Sequence, residues 1–288
     1  MFVSGFSFVK NAVKLDYPVV EAIQSILPLV DEMVVAVGKS EDDTRAVIAA
    51  LGPKIRIIDT VWDESLRSGG GVLAIETNKA FDAVSEQADW CVYIQADECL
   101  HEKYVDEVRQ YMLDNLSDLQ IDGLLFGYKH FYGSYDYLGD SRTWYQQEIR
   151  VVRNNKKIRS WKDAQGFRKE GKKLYVKRMK AEMYHYGWVR HPKYMMAKSV
   201  EANKYWHNDQ WIEERFDPDK EFDYAQIDSL KLFVGSHPKV METRIEKANW
   251  KFSHDPAQKK FGFKTALLYW IEKHTGYRIG EHKNYIEV

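Results

Sequence analysis

Cysteine is scarce. Cys91 and Cys99 are the only two in 288 residues. A pair this sparse excludes a disulfide framework, and it matches no zinc-ligand pattern. A reducing cytoplasm is the simplest setting for such a chain. Long apolar runs are missing as well, and none approaches the ~18 residues of a membrane span. Met1-Phe2-Val3-Ser4-Gly5 leads straight into a strand-like stretch, without a basic segment followed by a long apolar core, so no secretory signal is expected. Charge of one sign is not in excess, with a formal net charge of −1, which removes any global attraction to a polyanion. A glycine-rich phosphate motif is absent too. Ser68-Gly69-Gly70-Gly71 fits neither G-x-G-x-x-G nor the Walker pattern. It reads as a flexible loop, with close backbone approach to a phosphate as the alternative.

What is present describes an ordinary folded chain, 44% hydrophobic and 30% charged, long enough for one large domain or two modest ones. Charge is uneven along it. Residues 150–198 hold 16 Lys or Arg against 3 Asp or Glu, which reads either as a solvated face or as a field suited to phosphates or an anionic surface. Strands are expected at 2–9, 33–37 and 55–59, with helices at 17–29 and 44–51 between them. Asp16 is placed to cap the first helix and Pro18 suits its first turn. A helix at about 72–85 precedes the next strand, and another is expected at 101–113. Strand, helix, strand in short repeats predicts a mostly parallel sheet with right-handed crossovers. Later strands are expected at 122–132, 148–153, 174–176 and 181–186, with loops at 133–144 and 158–168. The chain beyond 190 reads as helical and polar, its clearest helix at 265–274.

Trp90-Cys91-Val92-Tyr93-Ile94-Gln95-Ala96-Asp97-Glu98 stands out. A buried strand stops at two adjacent carboxylates. Ligands of an α/β sheet bind outside the carboxyl ends of the strands. A cation that bridges a diphosphate needs few protein oxygens, because substrate and water supply the rest. Two readings therefore stand: Asp97 and Glu98 meet a ligand-bound cation, or they cap the helix at 101–113.

The order of these elements resembles the nucleotide-sugar-binding half of family-2 glycosyltransferases, over roughly residues 2–190. Phe6-Ser7-Phe8-Val9-Lys10-Asn11 resembles the opening strand, where the nucleotide base docks. Val35 to Thr44 looks like the second-strand loop, Asn78 lies where an A-x-N motif usually falls, and Trp90 to Glu98 matches the D-x-D strand. The pattern is broken at Gln95, which stands for the first acid, and at Val37-Gly38, which stands for the second-strand Asp.

The resemblance implies a GT-A (Rossmann-like) sheet of the α/β class with helices on both faces. It implies a catalytic domain over 1–190, with the donor half at about 1–100 and the acceptor side at about 120–190. Residues 191–288 would form a helical extension packed on the core. Substrate contacts are expected from Phe8, Lys10, Asn11, Asp43, Asn78, Gln95, Trp188 and Arg190, the last with Lys193 at the leaving diphosphate. Asp97 and His185 are the expected ligands of Mn²⁺ or Mg²⁺, with His191 second to His185. Neutral imidazole suits such a site beside a carboxylate. Asp163, between Trp161 and Phe167, is the expected general base, with Asp136 and Asp140 in reserve.

The expected activity is inverting transfer of a sugar from a nucleotide-sugar donor to a glycan or lipid-linked acceptor, with no nucleic-acid partner. Its expected place is cytoplasmic, with peripheral contact at the inner membrane face. A nucleotidyltransferase is disfavoured because Val9-Lys10-Asn11-Ala12 has no glycine after the first strand. A non-catalytic nucleotide- or glycan-binding protein on the same scaffold stays open through Gln95.

Overall fold

The computed structural model describes residues 1–288. Its first part alternates β1 (Val3–Val9), α1 (Val19–Ile26), β2 (Glu32–Gly38), α2 (Thr44–Ala49), β3 (Ile55–Thr60), α3 (Gly71–Asp82) and β4 (Trp90–Tyr93). Successive side chains of a strand point to opposite faces. Val3, Val9, Met33, Val35, Val37, Trp90 and Val92 accordingly join one core, shared with Val19, Ala22, Ile23 and Ile26 of α1. Phe6, Val34, Ala36, Cys91 and Tyr93 join the opposite one, with Ala80 and Phe81 of α3. Both faces are covered, which is why β2 and β4 are largely apolar instead of alternating with polar residues. Truncating Phe81 to Ala would cost roughly 3–5 kcal/mol.

The second part adds β5 (Glu98–Leu100), α4 (Val105–Asp114), β6 (Gly123–Tyr132), β7 (Ser134–Gly139), β8 (Gln147–Arg153), β9 (Ile158–Trp161), β10 (Gly166–Lys169) and β11 (Lys172–Trp188). The strand order is β3-β2-β1-β4-β8-β6-β11-β10-β9. The first four strands are parallel, β8 runs antiparallel to both β4 and β6, and β6 is parallel to β11. This is an α/β fold with a mixed sheet and helices on both faces. One pairing positions the site: β5 lies antiparallel on β11, with His185 opposite Glu98. That register brings the chain just before Glu98 alongside the last residues of β11, where the Tyr186 N–H donates to the Asp97 carbonyl at 2.7 Å.

Several local expectations are corrected. Residues 133–144 contain strand β7, and 158–168 form the β9–β10 hairpin. The two short strands expected at 174–176 and 181–186 are one strand, β11, broken in register between Arg178 and Glu182. Asp16 does not cap α1. It takes a left-handed φ of 52° and pairs with Arg244 at 2.7 Å. Residues 191–288 hold α5 (Pro192–Asn203), α6 (Asp209–Glu213), β12 (Leu230–Leu232), α7 (Glu242–Glu246), α8 (Phe263–Thr275) and β13 (Tyr285–Glu287). The segment is not purely helical, since β12 pairs with β7 and β13 with β11.

Candidate active site

The two acids after β4 have different partners. Glu98 is fully buried and held by Arg150, whose Nε and Nη2 donate to Oε2 and Oε1, both at 2.8 Å. The Tyr128 hydroxyl donates to Oε1 at 2.7 Å. The Gln95 N–H adds a bond to Oε2 at 3.2 Å, so both oxygens are doubly engaged and Glu98 forms an internal ion pair with Arg150. Neither acid caps the next helical turn, because His101 takes that place and accepts the Lys103 N–H. Asp97 instead looks into a cleft. Its Oδ2 accepts from Lys198 Nζ at 3.2 Å, and its Oδ1 lies 3.8 Å from His185 Nε2. Burial opposes the charge on Asp97, but Lys198, with His185 and Arg190 nearby, outweighs it and the carboxyl is held down at about 2.

Hydrogen-bond logic sets the tautomer of His185. His130 Nε2 lies 2.8 Å from the Tyr145 carbonyl oxygen, so that nitrogen must carry the proton. Burial holds His130 well below the ordinary histidine range, so it is neutral and its Nδ1 is an acceptor. His185 Nδ1, 3.0 Å away, must then donate. Burial lowers His185 as well. Its Nε2 therefore presents a lone pair to Asp97 Oδ1, with no proton to bridge them. Two acceptors this close together would suit a divalent cation. Gly187 leaves room for one: a Cβ there would sit 2.5 Å from His185 Nε2 and 2.9 Å from Asp97 Oδ2. A carboxylate with a neutral imidazole is a donor set for Mn²⁺. No cluster of three or more His, Cys, Asp or Glu side chains is present, so a diphosphate and water would complete the shell.

The cleft around Asp97 measures about 550 Å³. Phe8, Lys10, Gln95, Asp163, His185 and Trp188 line it together with Trp62, Lys198, Tyr205 and Trp206. Gln95 donates to the Tyr93 hydroxyl and the Ala164 carbonyl, both at 3.2 Å. Four expected contacts lie elsewhere. Asn11 ties two loops together, accepting the Glu41 N–H at 2.8 Å. Asp43 is exposed at the start of α2, and it is Asp42 that accepts the Lys14 N–H. Asn78 accepts the Ser160 N–H at 2.9 Å, joining α3 to β9. Arg190 is fully buried behind the cleft, donating to the Leu15 carbonyl at 2.7 Å. His191 caps α5 through the Lys193 N–H. The basic segment is likewise partly internal, since Arg150 and Arg190 have no exposure.

A second compartment of about 670 Å³ adjoins the first, and Thr143, Tyr145, Asp163 and Gln165 line both. Asp163 sits in the β9–β10 turn, between Lys162 and Ala164, which both take left-handed φ values, 55° and 62°. Such strain in residues with side chains concentrates at functional sites. The Asp163 carboxylate is free of ion pairs. The glycine loop braces it from behind: Gly70, at φ 66°, packs against Asp163 and Trp206, and its N–H donates to the Tyr205 carbonyl at 3.0 Å. Trp161 lines the second compartment at 41% exposure. Glu148 lies in its wall, 5% exposed, with Oε2 lacking any partner. Burial raises its carboxyl to about 8. The reserve bases are elsewhere. Asp140 is pinned by Lys259 and Lys273, and Asp136 accepts from Ser134. Sequence reasoning missed Lys198, His130 and Glu148.

No protein-family model matches the chain, and no curated protein matches it. Solved structures resemble it in part. TarS of S. aureus, residues 1–349, is 12% identical over 70% of this chain and 64% of its own, with a TM-score of 0.41. The same protein in complex with UDP is 12% identical over 69% and 64%, at 0.42. Glucosyl-3-phosphoglycerate synthase from Mycobacterium tuberculosis, in complex with Mn²⁺, UDP and glucosyl-3-phosphoglycerate, is 24% identical over 46% and 44%, at 0.30. The match thus spans less than two thirds of either neighbour. Likeness of this degree transfers no residue role, and the site is read from its own geometry.

Proposed function

We propose that the chain is a glycosyltransferase that moves a sugar from a nucleoside diphosphate donor to an acceptor hydroxyl. One observation carries this reading: Asp163, a carboxylate without an ion-pair partner, stands on the wall shared by two compartments. The first contains Asp97, His185 and Lys198, and the second is polar with an aromatic platform at Trp161. The donor occupies the first, its base side toward Phe8, Lys10 and Trp62 and its diphosphate toward Asp97. The acceptor occupies the second. The acceptor oxygen attacks the anomeric carbon and gives its proton to Asp163. The bond from that carbon to the diphosphate breaks, and the diphosphate leaves with the electron pair. A base on the face opposite the leaving group gives inversion.

Asp97 and His185 would hold Mn²⁺ or Mg²⁺, which when bound supplies positive charge to the leaving diphosphate. His130 fixes the His185 ring for that task, and Gln95 orients the loop through Ala164. The acceptor we favour is a glycan or lipid-linked sugar. No helix is long and apolar enough to cross a membrane. On α8, Phe263, Leu267 and Trp270 are 89%, 50% and 57% exposed, which supports a peripheral contact with a bilayer. The deciding experiment incubates the protein with UDP- and GDP-sugars, Mn²⁺ and candidate acceptors, and measures release of the nucleoside diphosphate. Asp97→Asn should abolish release, and thermal melting checks that the variant still folds. Donor binding without turnover by the parent would leave only a binding protein, and turnover by Asp97→Asn at the parent rate would remove Asp97 from the site.

A further inference from the structure

Lys198 is a feature that the transfer chemistry above does not require. It comes from α5, and its Nζ donates both to Asp97 Oδ2 at 3.2 Å and to the Gly187 carbonyl at 2.6 Å. Its side chain is 16% exposed and lines the donor cleft, between the rings of Tyr17 and Trp188 at 5.1 and 5.9 Å. A buried carboxylate needs a counter-charge, and Lys198 provides it in the protein alone. A divalent ion on Asp97 would then meet an ammonium already in contact with the same carboxylate. Two cations at such close range repel strongly in a partly buried site. A diphosphate relieves that repulsion, because it carries enough negative charge for both. Arg190 cannot take this part. Its guanidinium is held on the Leu15 carbonyl and wholly buried outside the cleft, whereas Lys198 lines the cleft on a flexible stem with three donors.

We propose that Lys198 is an exchangeable counter-ion. It neutralises Asp97 in the protein alone, and it passes to the donor diphosphate when a divalent cation takes the carboxylate. Metal and diphosphate therefore bind together, and the metal alone binds weakly. This rests on the donor-site reading above.

The test is calorimetry on the full chain with three titrants: MnCl₂ alone, UDP or GDP alone, and each nucleotide with saturating MnCl₂. Lys198→Met should bind Mn²⁺ alone about tenfold tighter or more, because the competing charge is gone. The same variant should bind nucleotide with Mn²⁺ about tenfold weaker or more, because a charged hydrogen bond is lost. Lys198→Arg, which keeps the charge, should bind Mn²⁺ alone as weakly as the parent, and thermal melting checks that both variants fold. Opposite shifts from one substitution distinguish exchange from structural damage, which would weaken both. Unchanged affinities, or two losses, with the parent still binding nucleotide and Mn²⁺, overturn the exchange and leave the donor site standing. A parent that binds neither UDP nor GDP with Mn²⁺ overturns the donor site and the exchange with it.

Discussion

Glu148 offers a prediction whose size follows from its surroundings. Its carboxyl is 5% exposed, its Oε2 has no hydrogen-bond partner, and burial lifts it from an ordinary 4.5 to about 8. Arg150 pulls the other way but is engaged with Glu98, so burial wins. The folded protein thus holds a proton that the unfolded chain gives up. For an acid raised in this way, stability is fully present below 4.5 and is lost as the pH rises toward 8. Each unit is worth about 1.4 kcal/mol. At pH 7 the gap to 4.5 amounts to roughly 3 kcal/mol, and above pH 8 it levels off near about 5 kcal/mol. Glu148→Gln has the shape of the protonated acid and no such loss. In urea melts at pH 5, 6, 7 and 8, the variant should be close to the parent at pH 5, within the roughly 1 kcal/mol cost of an unpaired amide. It should then become progressively more stable than the parent as the pH rises. Other titrating groups are common to both proteins and cancel in the difference. A difference that stays flat from pH 5 to 8 would refute the buried, protonated carboxyl.

Three further outcomes are expected. Asp163→Asn should lower the rate at saturating donor and acceptor by a factor of roughly 10² to 10⁴, with nucleotide affinity little changed; an unaltered rate would take the proton-acceptor role away from Asp163. His130→Phe removes the acceptor that holds the His185 Nδ1 proton, and should weaken Mn²⁺ binding in the presence of UDP by roughly 10- to 100-fold by calorimetry. Glu98→Gln leaves Arg150 buried with half its partner, and should destabilise by roughly 3–5 kcal/mol in urea.

The parallel half of the fold was legible because both its faces are covered. Strands such as Met33–Val37 are apolar without interruption, and the turns between them carry Gly and Pro. Past residue 130 that signal fades. Ser134–Gly139 reads as loop because Tyr, Gly and Asp dominate it, yet it pairs with β6 and β12, and its buried residues are only Tyr135 and Leu138. The break in β11 hides one long strand behind two short apolar patches. Tyr285–Glu287 is too short to announce a strand, and it exists because β11 offers an edge.

The site divides in the same way, between residues marked by their neighbours in sequence and residues marked only by their neighbours in space. Asp97 is visible as an acid at the end of an apolar strand, and Asp163 as an acid between aromatics. Asn11, Asp43 and Asn78 are polar residues at motif positions. In two of them the side-chain amide oxygen accepts a backbone N–H, work that any well-made loop requires and that a motif cannot tell from ligand binding. His130 stands 55 residues before its partner His185, and Lys198 is one of two lysines on α5, in a chain rich in lysine. Nothing local distinguishes either one. The β6–β11 register singles out His130 by setting it opposite His185, and α5 singles out Lys198 by carrying it to Asp97. The two adjacent acids serve different ends because only Glu98 belongs to β5. Asp97 lies in the turn that precedes β5, outside the strand alternation that commits Glu98 to Arg150, and its carboxylate faces the cleft beside His185 and Lys198.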